Sequence, residues 1–152
     1  MKKMLRVIVL LLAVVWCGLI WSFSMANGAE SAETSGDVLE FINGILSRMG
    51  FETLFTHQTV RKIAHFAEFF ALGLLASLAF YAFDFPHFVF CSLPAVFLVA
   101  CVDELIQRFS QGRTASPLDV LLDLAGGTCG IALFYLLLCL GMALRRRKMK
   151  KL

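Results

Sequence analysis

The chain has 152 residues, 59% of them hydrophobic and 16% charged, with a formal net charge of +3. A soluble domain of this length needs more polar surface than that to cover its core, and the apolar residues come in long blocks, so lipid is the expected solvent. Six of the fourteen Lys and Arg residues fall between Arg145 and Lys151, which reads as a solvated tail beside anionic headgroups; no nucleic-acid partner is expected.

A helix that crosses the hydrocarbon needs roughly 20 apolar residues. Leu5 to Phe23 meets this with Arg6 as its only charge, near an end from which it can snorkel. Lys2 and Lys3 before this block, and small residues near Ala26 to Ala29 after it, also fit a cleaved signal peptide. The apolar stretch exceeds the usual signal core of about 7–15 residues, so a retained anchor is expected.

Ser24 to Thr59 is the one sizeable loop. Its first part, SMANGAESAETSGD, is small, polar and acidic and reads as a flexible linker. In its second part Val38, Leu39, Phe41, Ile42, Ile45, Leu46 and Met49 recur at helical spacing, with Glu40, Asn43, Ser47 and Arg48 between them. That pattern predicts a short amphipathic helix, either lying on the membrane interface or packed over the bundle as a lid.

Ala64 to Phe83 is the second span, with Glu68 as its one carboxylate. Pro86 and His87 make a tight connection to the third, whose apolar part, His87 to Val102, is short and holds Pro94. It spans comfortably only if the helix continues through Asp103 and Glu104, to about residue 106. The fourth span starts near Pro117 and runs to Leu144. The expected fold is therefore all-α: a single membrane domain of four transmembrane helices in a compact bundle, plus the amphipathic helix.

Nine of the positive residues lie before or at the very start of the first span or after the fourth, against Arg48, Arg61, Lys62, Arg108 and Arg113 on the other side. Both termini are expected in the cytoplasm on this bias. Cys17, Cys91, Cys101, Cys129 and Cys139 all fall in apolar blocks without CxxC or Cys/His spacing. They read as small packing residues, not as metal ligands or a disulfide framework.

Charges inside a spanning helix are expensive, so their grouping carries information. Arg61, His65 and Glu68 share one helix face at the start of the second span. Asp103 with Gln107, and Glu104 with Arg108, form two i,i+4 pairs as the third span ends, and Gly112 suits the stop before Arg113. Ser116, Pro117 and Asp119 read as N-cap, first helical residue and capping-box partner of the fourth span. Asp123 lies one turn deeper with no capping role, and Gly126, Gly127 and Gly130 then permit close helix approach. The topology brings all three groups to one membrane side. Two helix amino termini with Arg61, Lys62 and Arg113 would attract an anion there, beside proton-accepting groups on His65, Glu68, Asp103 and Asp123. His65 and Glu68 hydrogen-bonded to each other, and Glu104 and Arg108 as an ordinary helix pair, are the structural alternatives. No HExxH or comparable motif is present, so neither a resident metal nor another cofactor is expected.

At these same residues the chain resembles the VanZ-like family, named for the membrane protein of glycopeptide-resistance clusters linked to teicoplanin resistance. RKIAHFAEFFALGLL is similar to the family's Lys-x-x-His-x-x-Glu-aromatic block, here Lys62, His65, Glu68 and Phe69. DELIQRFSQGRTASPLDVLLDLAGGTCG resembles its Asp-Glu-x-x-Gln stretch, loop Arg and Asp-x-x-x-Asp before glycine, here Asp103, Glu104, Gln107, Arg113, Asp119, Asp123 and Gly126. WSFSMANG is weakly similar to the Ser-rich exit of the family's first span. Phe69-Phe70 departs from the pattern, since a tyrosine is expected after Glu68. The resemblance implies an envelope role and altered teicoplanin sensitivity, and no established reaction.

Three functions follow as expectations. The first is a binder of a lipid-linked anion at the outer leaflet, a cell-wall precursor or phospholipid headgroup, through Arg61, Lys62, Gln107, Arg113, Asp119 and Asp123. The second is a membrane-embedded hydrolase or transferase with His65 as acid or base, Glu68 or Asp103 orienting it, Arg113 stabilising charge, and Ser110 or Ser116 as the available hydroxyl. The third, an ion- or proton-coupled transporter, fits least, because apart from Asp84 the cytoplasmic halves of the last three spans are almost wholly apolar.

Overall fold

A computed structural model describes residues 2–26, 28–48, 50, 55–110 and 116–149. Five helices follow one another: α1 Lys2–Met25, α2 Gly28–Arg48, α3 His57–Ala82, α4 Phe88–Phe109 and α5 Pro117–Met149. Among the described residues there is no strand. All but α2 are long and apolar enough to cross a membrane, so the protein is a helical multi-pass membrane bundle. α4 does continue through Asp103 and Glu104; its 22 residues span about 33 Å at 1.5 Å per residue.

The surface explains the solvent. Leu5, Leu11, Val14, Leu19 and Phe23 on α1, and Leu133, Leu136 and Leu140 on α5, are all exposed. Apolar exposure of this extent belongs in hydrocarbon, where it has no penalty. None of the five cysteines is fully buried, and Cys129 is exposed, so they contribute less to interior packing than their apolar surroundings suggest.

α3 is the central element and packs against every other helix. Its closest partner is α5, which runs parallel to it. A Cβ on Gly126 would overlap the Phe66 carbonyl, one on Gly130 the Phe70 carbonyl, and one on Gly73 the Gly127 carbonyl. Backbones therefore touch along this seam, as the glycine spacing of α5 predicts. Ile20, Phe69, Leu72, Val96, Ala100 and Ile131 form the core between α1, α3, α4 and α5.

α1 is antiparallel to α3 and is fastened to it and to α4 by side chains reaching main-chain carbonyls. Arg6 Nε donates to the Ala82 carbonyl at 2.7 Å, Trp16 Nε1 to that of Glu68 at 2.9 Å, and Trp21 Nε1 to that of Val99 at 3.5 Å. Arg6 also pairs with Asp84, so the lone charge of the first span meets the lone carboxylate of the α3–α4 turn. That turn is tight because Asp84 and His87 adopt left-handed φ values of 58° and 59°, uncommon for residues with a Cβ.

The segment expected to be a flexible linker is mostly helix. Only residues 26–27 separate α1 from α2, which already includes GAESAETSGD. Alanine and glutamate favour helix strongly enough to outweigh two glycines in this stretch. α2 packs against α3, with Gly36 opposite His57. Leu39, Ile42 and Leu46 are half-buried, whereas Val38, Phe41 and Ile45 are exposed. Met49 lies outside the described residues.

Candidate functional site

Three helices each bring one donor to a single point at the bundle end remote from the chain termini. α3 contributes His65, α4 Asp103 and α5 Asp123, with Glu68 one turn further along α3. His65 Nδ1 stands 3.8 Å from Asp123 Oδ1, 3.9 Å from Asp103 Oδ2 and 3.9 Å from Glu68 Oε2. These Nδ1–oxygen separations exceed hydrogen-bond range. Asp103 is 0% exposed and Asp123 2%.

The glycine seam causes this convergence. Gly126 against Phe66 sits three residues beyond Asp123 and one beyond His65, so it draws the two side chains together. Asp103 is held from its own helix, as the i,i+4 spacing predicts: Gln107 Nε2 donates to Asp103 Oδ2 at 2.7 Å. The same amide lies 3.3 Å from Ser24 Oγ, and Ser110 Oγ donates to the Ser24 carbonyl at 2.8 Å. Ser24 is 1% exposed and ties α1 to the Asp103–Gln107 pair. Sequence reading misses this role, although serines at 22 and 24, where an apolar span ends, are the available signal.

The remaining sequence candidates surround the cluster less closely. Arg61 is half-buried one turn before His65, Lys62 is exposed, and Asp119 is half-buried in the first turn of α5. Arg61, Lys62 and Arg108 form no ion pair among the described residues. Arg113 and Gly112 lie outside the described residues. The Glu104–Arg108 pair is not formed: Arg108 is exposed, and Glu104 lies near the Ser116 N–H at the start of α5. Ser116 does cap α5, its Oγ accepting from the Leu118 N–H at 3.3 Å. Asp119 does not return the reciprocal capping-box bond among the described residues; its N–H donates to the Ser116 carbonyl at 2.8 Å.

Helix starts also differ from expectation in a way that matters for charge. α3 begins at His57, capped by Thr56, whose Oγ1 accepts from the Thr59 N–H at 3.2 Å. Its positive end is thus about 12 Å along the axis from His65, beyond the single turn over which a helix dipole acts strongly. The cluster is dominated by carboxylates, since Asp119 and Glu104 also lie within electrostatic reach of Asp123.

One turn below Glu68 the same α3 face becomes apolar. Leu72, Ala76 and Ala79 continue the stripe of His65 and Glu68 and line a cleft of about 330 Å³. Leu10, Val14 and Cys17 of α1, Val96 and Val99 of α4, and Phe85 of the α3–α4 turn are also part of its wholly apolar wall.

The VanZ/LLP1 family profile matches residues 9–138, from the first span almost through the last. The chain belongs to the VanZ/LLP1 family. No curated protein and no solved structure matches it. Within this VanZ/LLP1 chain, the matched region contains α2, α3 and α4 whole, and every side chain of the His65 cluster.

Proposed function

We propose that this VanZ/LLP1 protein binds a membrane lipid with an anionic headgroup, a phospholipid or lipid-linked cell-wall precursor, at the outer leaflet of a bacterial envelope. The observation that carries the reading is the continuous α3 stripe from the polar His65–Glu68 pair into the apolar cleft at Leu72, Ala76 and Ala79. An amphiphile has that polarity profile: a headgroup beside the cluster and a chain in the cleft. Arg61, Lys62 and Arg113 would supply positive charge, and Gln107, Asp119 and Asp123 hydrogen-bonding groups. The outward side rests on the excess of Lys and Arg at the opposite end. Altered teicoplanin sensitivity would follow if the lipid is a cell-wall precursor.

The test is the lipid retained by the full chain after mild detergent extraction, read by native mass spectrometry. Ala76→Phe, which fills the cleft, and Arg61→Ala are each expected to reduce retained anionic lipid at least fivefold. Unchanged retention in both would overturn the reading.

A hydrolase or transferase acting on such a lipid is a second reading, favoured by the imidazole surrounded by carboxylates. Ser110 and Ser116 are both engaged, one on the Ser24 carbonyl and one as a cap. His65 would then activate water and not a serine. Turnover of a lipid-phosphate panel that disappears in His65→Gln would support it, and no product in the parent protein would sink it.

A further inference from the structure

We propose that His65, Asp103 and Asp123 bind a divalent transition-metal cation of the Mn²⁺ or Zn²⁺ type, with Glu68 beside them as a further oxygen donor. The site is the cluster just described, but the cation does not depend on the lipid reading. That reading in turn faces a charge conflict that a cation would remove, since buried carboxylates repel an anionic headgroup.

The first support is geometry. One imidazole nitrogen and two carboxylate oxygens, each from a different helix, lie within 4.8 Å of one another. Donors bound to one such ion at about 2.0–2.2 Å stand roughly 3–4 Å apart. The Nδ1–oxygen separations of 3.8 and 3.9 Å are already in that range, too long for a hydrogen bond and suited to two ligands of a shared ion. Metal sites in helical bundles are built in this way, from side chains of facing helices that project inward.

The second support is independent. Asp123 is 2% exposed, its Oδ1 points at His65 Nδ1, and that oxygen has no hydrogen-bond partner among the described residues. A buried carboxylate oxygen left unsatisfied is strongly unfavourable in water-free surroundings. A cation bound there would supply the missing partner. Gln107, donating to Asp103 Oδ2, is placed as the outer hydrogen bond that orients a ligating carboxylate.

Donor chemistry selects the class of ion. Mg²⁺ and Ca²⁺ take all-oxygen sites by preference, whereas an imidazole with carboxylates suits Mn²⁺, Zn²⁺ and similar ions. The three ligating side chains leave one position on a four-coordinate ion, and together with Glu68 they leave two on a six-coordinate one, for water or for a phosphate oxygen.

The experiment uses the full chain in detergent, stripped with a chelator and then titrated with Mn²⁺ and followed by electron paramagnetic resonance. One saturable equivalent is expected, with nitrogen coupling from the imidazole in the echo-modulation spectrum. His65→Gln should lose that nitrogen signature, and Asp123→Asn, nearly isosteric, should weaken binding at least tenfold at unchanged helicity. Gln107→Ala should weaken it about 10–100-fold, the range for loss of an outer-shell partner. Zn²⁺ competition should displace Mn²⁺ with the same stoichiometry. Absence of stoichiometric Mn²⁺ and Zn²⁺ binding by the folded parent, or binding unaffected by both His65→Gln and Asp123→Asn, would overturn the site. Lipid retention measured on the same samples separates the two proposals. Metal bound without retained lipid leaves the cation site standing alone; lipid retained without metal leaves the lipid reading standing alone.

Discussion

The two ends of the bundle handle charge in opposite ways. At the end that carries the chain termini, Arg6 and Asp84 meet in an exposed ion pair, Arg6 also reaches the Ala82 carbonyl, and Arg146, Arg147 and Lys148 sit in the last turn of α5. These charges are solvated, paired or favourably placed against a helix dipole. At the other end Asp103 and Asp123 are buried with His65 between them. An arrangement that only had to anchor helices would look like the first end. The second end accepts a stability penalty for assembling its groups, as the proposed site requires.

Substitutions can break or sharpen that contrast. The largest effect is expected for Gly126→Leu, which drives a side chain into the Phe66 main chain and should destabilise the bundle by about 3 kcal/mol, read as a lowered unfolding midpoint in detergent. Full retention of stability would mean that α3 and α5 can separate freely. Next comes Gln107→Leu, which leaves Asp103 Oδ2 without its 2.7 Å donor and should cost about 2 kcal/mol in the same measurement. Asp123→Asn should move the other way and raise metal-free stability by about 1 kcal/mol, because it removes a buried charge; a clear loss would show that the carboxylate is already stabilised in place. Smallest is the terminal end, where a double-mutant cycle of Arg6→Ala and Asp84→Asn should give a coupling below about 1 kcal/mol. A coupling as large as the changes at the other end would erase the distinction.

What could be read from the sequence divides along physical lines. The four spans follow from apolar length, and the continuation of α4 through Asp103 follows from the hydrocarbon thickness that its apolar part alone cannot cross. Glycine spacing in α5 correctly announced a backbone contact, because nothing else lets two helices approach so closely. The early start of α3 and the helical character of residues 28–37 were hidden, since polar segments lack the apolar periodicity that marks a helix. Glu104 shows the limit of pair rules: its i,i+4 partner Arg108 is available, yet the carboxylate lies near the Ser116 N–H of a neighbouring helix. The convergence of His65, Asp103 and Asp123 was legible only as a shared end of the bundle. The separations of under 4 Å between His65 and each carboxylate depend on helix rotation, which one-dimensional spacing does not carry.

Backbone contact at Gly73, Gly126, Gly127 and Gly130 also fixes which part of the wall can yield. With main chains touching, α3 and α5 behave as one double stave that can neither slide nor part without losing its contact surface. α1 is attached differently, by long indole and guanidinium arms that end on the carbonyls of Glu68, Val99 and Ala82. Such arms can swing while keeping hold. The cleft, walled by α1, α3 and α4, therefore has one side backed by touching main chains and another held only at the tips of side chains.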